Sequence, residues 1–127
     1  MNELITALMS LSLLLSSVPV QAEELSPMDV WLNELSWCES RDNPNALNPK
    51  DPVTRSVGLY QFKDATFLRY AKKYNFYGDV SDKEILSNIW DPKAQKVMTR
   101  NMIQEDWNNY KQWGCVVSGK VRKPPKG

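Results

Sequence analysis

One stretch of the sequence combines residue types that suit acid–base chemistry. Glu39 lies on the same helical stripe as Leu32 and Leu35, and a loop rich in Asn, Pro and Asp separates it from Gly58 and Gln61. A carboxyl group on an apolar helix face is partly desolvated, and the negative end of the helix dipole lies beside it. Both effects disfavour the charged form, so we expect a raised pKa for Glu39, which suits a general acid.

The amino-acid composition excludes most other kinds of catalytic site. The 127 residues include no histidine and two cysteines, which excludes a Ser-His-Asp or Cys-His relay, an imidazole metal site and a thiolate zinc site. We therefore expect no metal and no cofactor, and catalysis must come from carboxylates. The formal net charge of +1 gives no case for nucleic-acid binding.

Helix caps and apolar spacing predict the elements that position this stretch. Helix starts are indicated near Ser26, Asp64, Ser81 and Asp91. The first helix runs from about Pro27 to Ser40, and the last from about Pro92 to Tyr110 with an inner face of Ala94, Val97, Met98 and Met102. Residues 53 to 60 allow at most a small β-hairpin or turn. The predicted fold class is mainly α.

The N-terminal segment has the pattern of a secretory signal. Residues 4 to 15 are mostly apolar, and Val20-Gln21-Ala22 places small residues where a signal peptidase cleaves. The apolar run is short for a membrane span. We predict a signal peptide over residues 1–22 and a secreted or periplasmic protein. Because Glu3 replaces the usual basic residues, an uncleaved anchor is the alternative.

The remaining chain divides into a domain and a tail. The domain is predicted to cover residues 23–118. Residues 119–127 are basic and lack apolar content, which predicts a disordered tail. Its charge suits an anionic wall polymer, and a merely solvated end is the alternative.

Cys38 and Cys115 are expected to form a disulfide. An exported protein with two cysteines has one possible pairing, and two unpaired core cysteines are the alternative. A bridge that closes a loop of nearly eighty residues contributes on the order of 4 kcal/mol in the chain-entropy model. It would also fix the helix end next to Glu39.

The motifs in this stretch resemble those of a known family. The runs are Glu39-Ser40-x-x-Asn43-Pro44-x-Ala46, then Gly58-Leu59-x-Gln61, then Thr66-Phe67. In order and spacing they resemble the soluble lytic transglycosylase and goose-type lysozyme-like group. The resemblance implies a mostly helical lysozyme-like fold over roughly residues 28 to 115. It also implies cleavage of the β-1,4 bond between N-acetylmuramic acid and N-acetylglucosamine in peptidoglycan.

The resemblance implies a role for each matched residue. Glu39 matches the catalytic acid, and Ser40 matches the serine that helps to position that acid or the substrate. Gly58 matches the glycine that lets a sugar approach the backbone. Gln61 matches the glutamine that binds near the scissile bond.

Two features depart from the family pattern. The family's Ala-Tyr-Asn motif is absent, and the chain has Trp107-Asn108-Asn109-Tyr110 instead. Tyr60 stands where many relatives have methionine. We place Tyr60 near the substrate groove, and Tyr110 with it.

The resemblance also implies a mechanism with a single carboxyl group. Glu39 protonates the glycosidic oxygen, the substrate's N-acetyl group stabilises the oxocarbenium-like centre, and Glu39 then deprotonates the C6 hydroxyl. The product is a 1,6-anhydromuramic end, formed without water. The expected partner is a peptidoglycan strand, and the protein is expected to be a monomer.

Two alternatives stay open. Glycoside hydrolysis uses a second carboxylate, for which Asp51 is the better candidate to position water and Asp42 the poorer one. The other alternative is an inactive peptidoglycan-binding module that keeps the groove.

Overall fold

The computed structural model describes residues 24–50 and 53–126, and its first helix, α1, covers Pro27–Ser40. The Ser26 side chain accepts a hydrogen bond from the Asp29 backbone N–H at 3.1 Å, as its predicted cap should. Arg41 ends the helix in a left-handed conformation, with φ 57°. The predicted helix is confirmed over its full length.

A two-stranded antiparallel sheet follows α1. Strand β1 is Leu47–Asn48 and strand β2 is Ser56–Val57, with Leu47 opposite Val57. A tight turn after β2 returns the chain, and Val57 and Phe62 exchange two backbone hydrogen bonds of 2.9 Å. The prediction of a mainly α fold with a small hairpin is confirmed, but only the second strand lies within the predicted residues 53 to 60.

Five helical segments complete the described chain: α2 (Asp64–Lys73), α3 (Asp82–Ser87), α4 (Pro92–Glu105), the 3₁₀ helix η1 (Trp107–Gln112) and α5 (Gly114–Val117). The predicted helix from Pro92 to Tyr110 is therefore too long. Asp106 is extended, and its side chain accepts a hydrogen bond from the Asn108 N–H at 3.0 Å. This side-chain bond competes with the helical ladder, so a new 3₁₀ helix begins there.

Two tryptophans join the elements around the core. The Trp31 ring from α1 meets the Trp113 ring edge to face, with centroids 6.4 Å apart. Trp113 meets Phe62 at 6.2 Å in the same manner. All three side chains are at most 4 % exposed. The end of the domain therefore packs against both α1 and the turn after β2.

The predicted disulfide is confirmed. Cys38 and Cys115 are bonded, with their Cα atoms 6.2 Å apart and 77 positions apart in sequence. The bridge joins the last turn of α1 to α5. A disulfide is compatible with an extracytoplasmic location.

The predicted disorder of residues 119–127 is wrong for the part of the tail that the structure describes. The Trp31 indole N–H donates to the Arg122 carbonyl at 2.8 Å, and the Trp107 indole N–H donates to the Pro124 carbonyl at 2.9 Å. An indole N–H that is withdrawn from water needs such an acceptor. The tail therefore supplies hydrogen-bond acceptors that the domain lacks.

Side-chain contacts also hold the tail. Val121 is 6 % exposed. The Arg122 guanidinium makes two hydrogen bonds to the Glu34 carboxylate, at 2.6 and 3.1 Å. The Lys126 ammonium lies 4.4 Å from the centroid of the Trp107 ring. These pairings depend on residues remote in sequence, and composition alone could not reveal them.

The predicted signal peptide over residues 1–22 lies outside the described residues. Between residues 24 and 126, leaving out positions 51 and 52, no helix is long and apolar enough to cross a membrane.

Candidate active site

Glu39 lies in the last turn of α1, where its side chain is half-buried. The backbone N–H of Cys115 donates a hydrogen bond to Glu39 Oε1 at 3.2 Å. The carboxyl group is thus held by a residue 76 positions further along the chain. This placement agrees with an acid on the inner side of a helix end. The raised pKa expected from the sequence stays a prediction.

Ser40 is half-buried beside Glu39, and its hydroxyl group bonds within the helix. Ser40 Oγ donates to the Ser36 carbonyl oxygen at 3.0 Å. This hydrogen bond uses the hydroxyl proton of Ser40, and the lone pairs of its Oγ can still accept hydrogen bonds. Its role in positioning Glu39 or the substrate stays a prediction.

The turn after β2 depends on Gly58. Its φ of 81° lies in the left-handed region, where glycine is favoured. The Gly58 N–H donates to the Ala46 carbonyl at 2.8 Å, which fixes the turn to the loop before β1. Gln61 also has a positive φ, and its side-chain amide donates back to the Gly58 carbonyl at 3.0 Å. The predicted substrate-binding glutamine is therefore held by its own turn.

Gln61 also lines a cavity of about 270 Å³, together with Phe62, Lys63, Thr66, Met102, Gln112 and Trp113. The cavity combines aromatic surface with the ammonium group of Lys63 and the side-chain oxygens of Gln61 and Gln112, whose amide nitrogens donate within the protein. Such a lining suits a ligand that has apolar faces and many hydroxyl groups. Trp113 is fixed by a hydrogen bond from its indole N–H to the Tyr60 carbonyl at 3.0 Å. Two residues further on, the Cys115 N–H meets Glu39. One short segment thus contacts both the cavity and the candidate acid.

Gln95 on α4 was missed in the sequence, although it organises the loops of the site. It is fully buried, and its side-chain oxygen accepts the Leu59 N–H at 2.9 Å. Its side-chain nitrogen donates to the Ile89 carbonyl at 2.7 Å and to the Pro44 carbonyl at 3.3 Å. One amide group therefore joins the loop before β1, the turn after β2 and the start of α4.

A signal for Gln95 was present in the sequence. One face of α4 carries four residues at helical spacing whose exposed fraction is 0 %: Gln95, Met98, Thr99 and Met102. The predicted face included Val97, which is only half-buried. A polar side chain on an apolar stripe identified Glu39, and the same argument applies to Gln95.

We expect Gly58→Ala to destabilise the protein by at least about 2–3 kcal/mol. A Cβ at Gly58 would lie 2.3 Å from Gln95 Nε2, and the positive φ adds backbone strain. Gly78→Ala is the matched control, because Gly78 has φ 72° but nothing within 4 Å of its added Cβ. Urea unfolding of both variants separates the overlap from the strain. Equal losses at the two positions would show that the Gln95 contact adds nothing.

The two tyrosines predicted near the groove belong to the core. Tyr60 is 1 % exposed, and burial, followed by the negative charge of Asp42, raises the pKa of its hydroxyl group. Tyr110 is 8 % exposed, with its ring centroid 4.9 Å from that of Trp107. The Lys123 ammonium lies 5.5 Å from the Tyr110 ring, so the tail lies against it. Their placement in the groove is corrected accordingly.

Of the two candidates for a second carboxylate, the structure describes Asp42 alone. Asp51 lies outside the described residues. Asp42 has a positive φ of 58°, and its Oδ1 accepts a hydrogen bond from the Ser36 hydroxyl group. Asp42 is therefore bound by the hydroxyl group of Ser36, which lies on the face of α1 that packs against Tyr60. Within the described part of the chain, no three acidic or cysteine side chains form a group that could hold a metal ion.

Comparisons with known proteins add no assignment: no protein-family model, curated protein or solved structure matches this chain.

Proposed function

We propose that this protein is a lytic transglycosylase that cleaves the β-1,4 bond between N-acetylmuramic acid and N-acetylglucosamine in peptidoglycan. The observation that carries the proposal is the half-buried carboxyl group of Glu39, held by the Cys115 N–H at the end of α1. The sequence motifs that resemble the family begin at this residue. The cavity beside Gln61 supports the proposal, because it offers amide oxygens, an ammonium group and an aromatic wall near the same segment.

In the proposed reaction Glu39 acts first as an acid. It donates its proton to the glycosidic oxygen while the bond from that oxygen to C1 of the muramic residue breaks. The neighbouring N-acetyl group stabilises the positive charge that develops at C1. A fixed carboxyl group is favoured for this step, because proton transfer requires close alignment with the leaving oxygen.

Glu39 then acts as a base. Its carboxylate takes the proton of the C6 hydroxyl group, and the C6 oxygen forms the new bond to C1. The product is a 1,6-anhydromuramic end, no water is consumed, and Glu39 regains its proton. One group can serve both steps because the two transfers run in opposite directions.

Other residues have supporting roles in the proposal. Gln61 binds the strand near the scissile bond with the polar groups that its hydrogen bond to Gly58 leaves available. Ser40 accepts a hydrogen bond from the substrate or helps to position Glu39. Gly58 shapes the turn that carries Gln61, although the space in front of its α-carbon is filled by Gln95 rather than open to a sugar.

The proposed setting is extracytoplasmic. The predicted signal peptide leads the chain out of the cytoplasm, and the disulfide between Cys38 and Cys115 is compatible with that environment. The partner is a peptidoglycan glycan strand, and the protein acts as a monomer.

Mass spectrometry of the soluble products from purified peptidoglycan tests the proposal. We expect muropeptides one water lighter than the products of hydrolysis, because the C6 hydroxyl group replaces water as the nucleophile. Products with a free reducing end would instead make the protein a lysozyme and direct attention to Asp51. Retention on the peptidoglycan pellet without any products would identify a binding module.

A further inference from the structure

The disulfide and the hydrogen bond to the candidate catalytic acid connect the same two segments, the end of α1 and the segment around Cys115. Cys38 precedes Glu39 in the last turn of α1. Cys115 is bonded to Cys38 through sulfur, and its backbone N–H donates to Glu39 Oε1 at 3.2 Å. A covalent bond and a hydrogen bond therefore connect the same two short segments. The hydrogen bond can form only while Cys115 stays next to the end of α1.

The segment that carries Cys115 has other anchors, including a hydrogen bond from the Val121 N–H to the Cys115 carbonyl at 2.9 Å. Trp113 and Val116 on either side are 4 % and 5 % exposed, so burial keeps this segment on the domain. The helix α5 has four residues, too few to be stable on its own. The bridge is the covalent contact between Cys115 and the residue next to Glu39, while core packing and the hydrogen bond from Val121 maintain the fold around it.

We propose that the Cys38–Cys115 bridge is a positioning device for Glu39, which makes turnover depend on the bridge being closed. The inference rests on the proposed function, since it concerns the acid of that reaction. With the bridge open, Cys115 gains freedom and its N–H no longer fixes the carboxyl group. A displacement of about 1 Å at a catalytic group can lower the rate by about 100-fold.

Opening the bridge requires a reductant, and a small dithiol supplies it. The two thiols of the dithiol become a disulfide and release two electrons and two protons. The cystine takes them up and becomes two cysteine thiols. Both cysteines are partly exposed, so a small reagent has access to the sulfur atoms.

The first experiment compares turnover of the oxidised protein, the dithiol-reduced protein and the double variant Cys38→Ala with Cys115→Val. We expect kcat to fall about 10- to 100-fold in both bridge-free forms, with KM within about twofold. Reoxidation of the reduced protein should restore kcat. Near-ultraviolet circular dichroism at low temperature ensures that only folded protein is compared.

A variant that is destabilised elsewhere serves as the matched control. Ile85→Ala removes a buried side chain of α3, which packs mainly against α2 rather than against α1 or α5. It lowers the thermal midpoint without touching Glu39 or Cys115, so its kcat should equal that of the wild type while it is folded. An equal fall of kcat in Ile85→Ala, or unchanged kcat in the bridge-free forms, would overturn the proposal.

The second experiment does not depend on activity. The ¹H–¹⁵N resonance of the Cys115 amide is compared between wild type and Glu39→Ala, first oxidised and then reduced. We expect a shift of this resonance on substitution in the oxidised pair and little shift in the reduced pair. A Cys115 resonance that ignores Glu39→Ala in the oxidised protein would overturn the positioning contact, even if the bridge-free forms fail to fold. Peptidoglycan left uncut by the oxidised protein would contradict the proposed function alone.

Discussion

Glu39→Gln is expected to lower peptidoglycan cleavage by at least about 1,000-fold. The glutamine side chain keeps the size of the glutamate and can still accept the Cys115 N–H through its oxygen. It can neither donate the proton to the glycosidic oxygen nor take the proton of the C6 hydroxyl group. The thermal midpoint should therefore stay nearly unchanged or rise slightly while activity is lost.

Release of soluble muropeptides and thermal unfolding, measured on the same preparation, check this prediction. Glu34→Gln is the matched control, because Glu34 lies on the same helix and pairs with Arg122 on the surface. Its exposed ion pair contributes at most about 1 kcal/mol, so the control should keep full activity. A Glu39→Gln protein that still digests peptidoglycan would remove Glu39 from the mechanism.

Gln95→Leu is expected to lower the free energy of unfolding by about 3–5 kcal/mol. Leucine has a similar size but no polar atoms. The substitution leaves the Leu59 N–H and the carbonyl groups of Ile89 and Pro44 without the partner they have now. Each unsatisfied buried group costs about 1–3 kcal/mol, and the leucine regains part of this through apolar burial.

Urea unfolding of Gln95→Leu against Gln104→Leu measures this effect. Gln104 lies on the same helix but is exposed, so its substitution should change stability by at most about 0.5 kcal/mol. Cleavage by folded Gln95→Leu should fall as well, since the turn that carries Gln61 loses its support. A stability loss below about 1 kcal/mol would show that water or neighbouring groups replace the Gln95 amide.

The sequence predicted those features that depend on local signals. The cap at Ser26 and the apolar spacing after it predicted α1 with both ends correct. The same stripe placed Glu39 on the inner side of the helix end. Only one cysteine pairing was available, so the disulfide followed from composition and the predicted export.

Features that depend on remote contacts could not be predicted in the same way. The carbonyl groups of Arg122 and Pro124 are bound by indoles that lie 91 and 17 positions away. Neither pairing leaves a periodic signal, so the tail was expected to be disordered. The end of α4 was missed for a different reason, because Asp106 interrupts the helix with a cap in the middle of an apolar pattern.

The candidate site was predicted in part. Glu39 lies at the end of α1, and Gly58 and Gln61 lie in the turn after β2. Gln95 and Trp113 hold this turn through hydrogen bonds to the backbone of Leu59 and Tyr60. Tyr60 was placed near the groove as the variable position of the motif Gly58-Leu59-x-Gln61. A turn sends successive side chains in different directions, and the ring of Tyr60 enters the core instead.

The described part of the tail brings the two ends of the described chain close together. Ser26 and Pro27 at the start of α1 line the same cavity as Pro125 and Lys126. Glu39 lies near the other end of this 14-residue helix, about 20 Å away at 1.5 Å per residue. A tag, fusion partner or tether joined before Ser26 or after Lys126 is therefore attached about 20 Å from the candidate acid. We expect an attachment at this distance to leave the approach of a long polymer to Glu39 unobstructed.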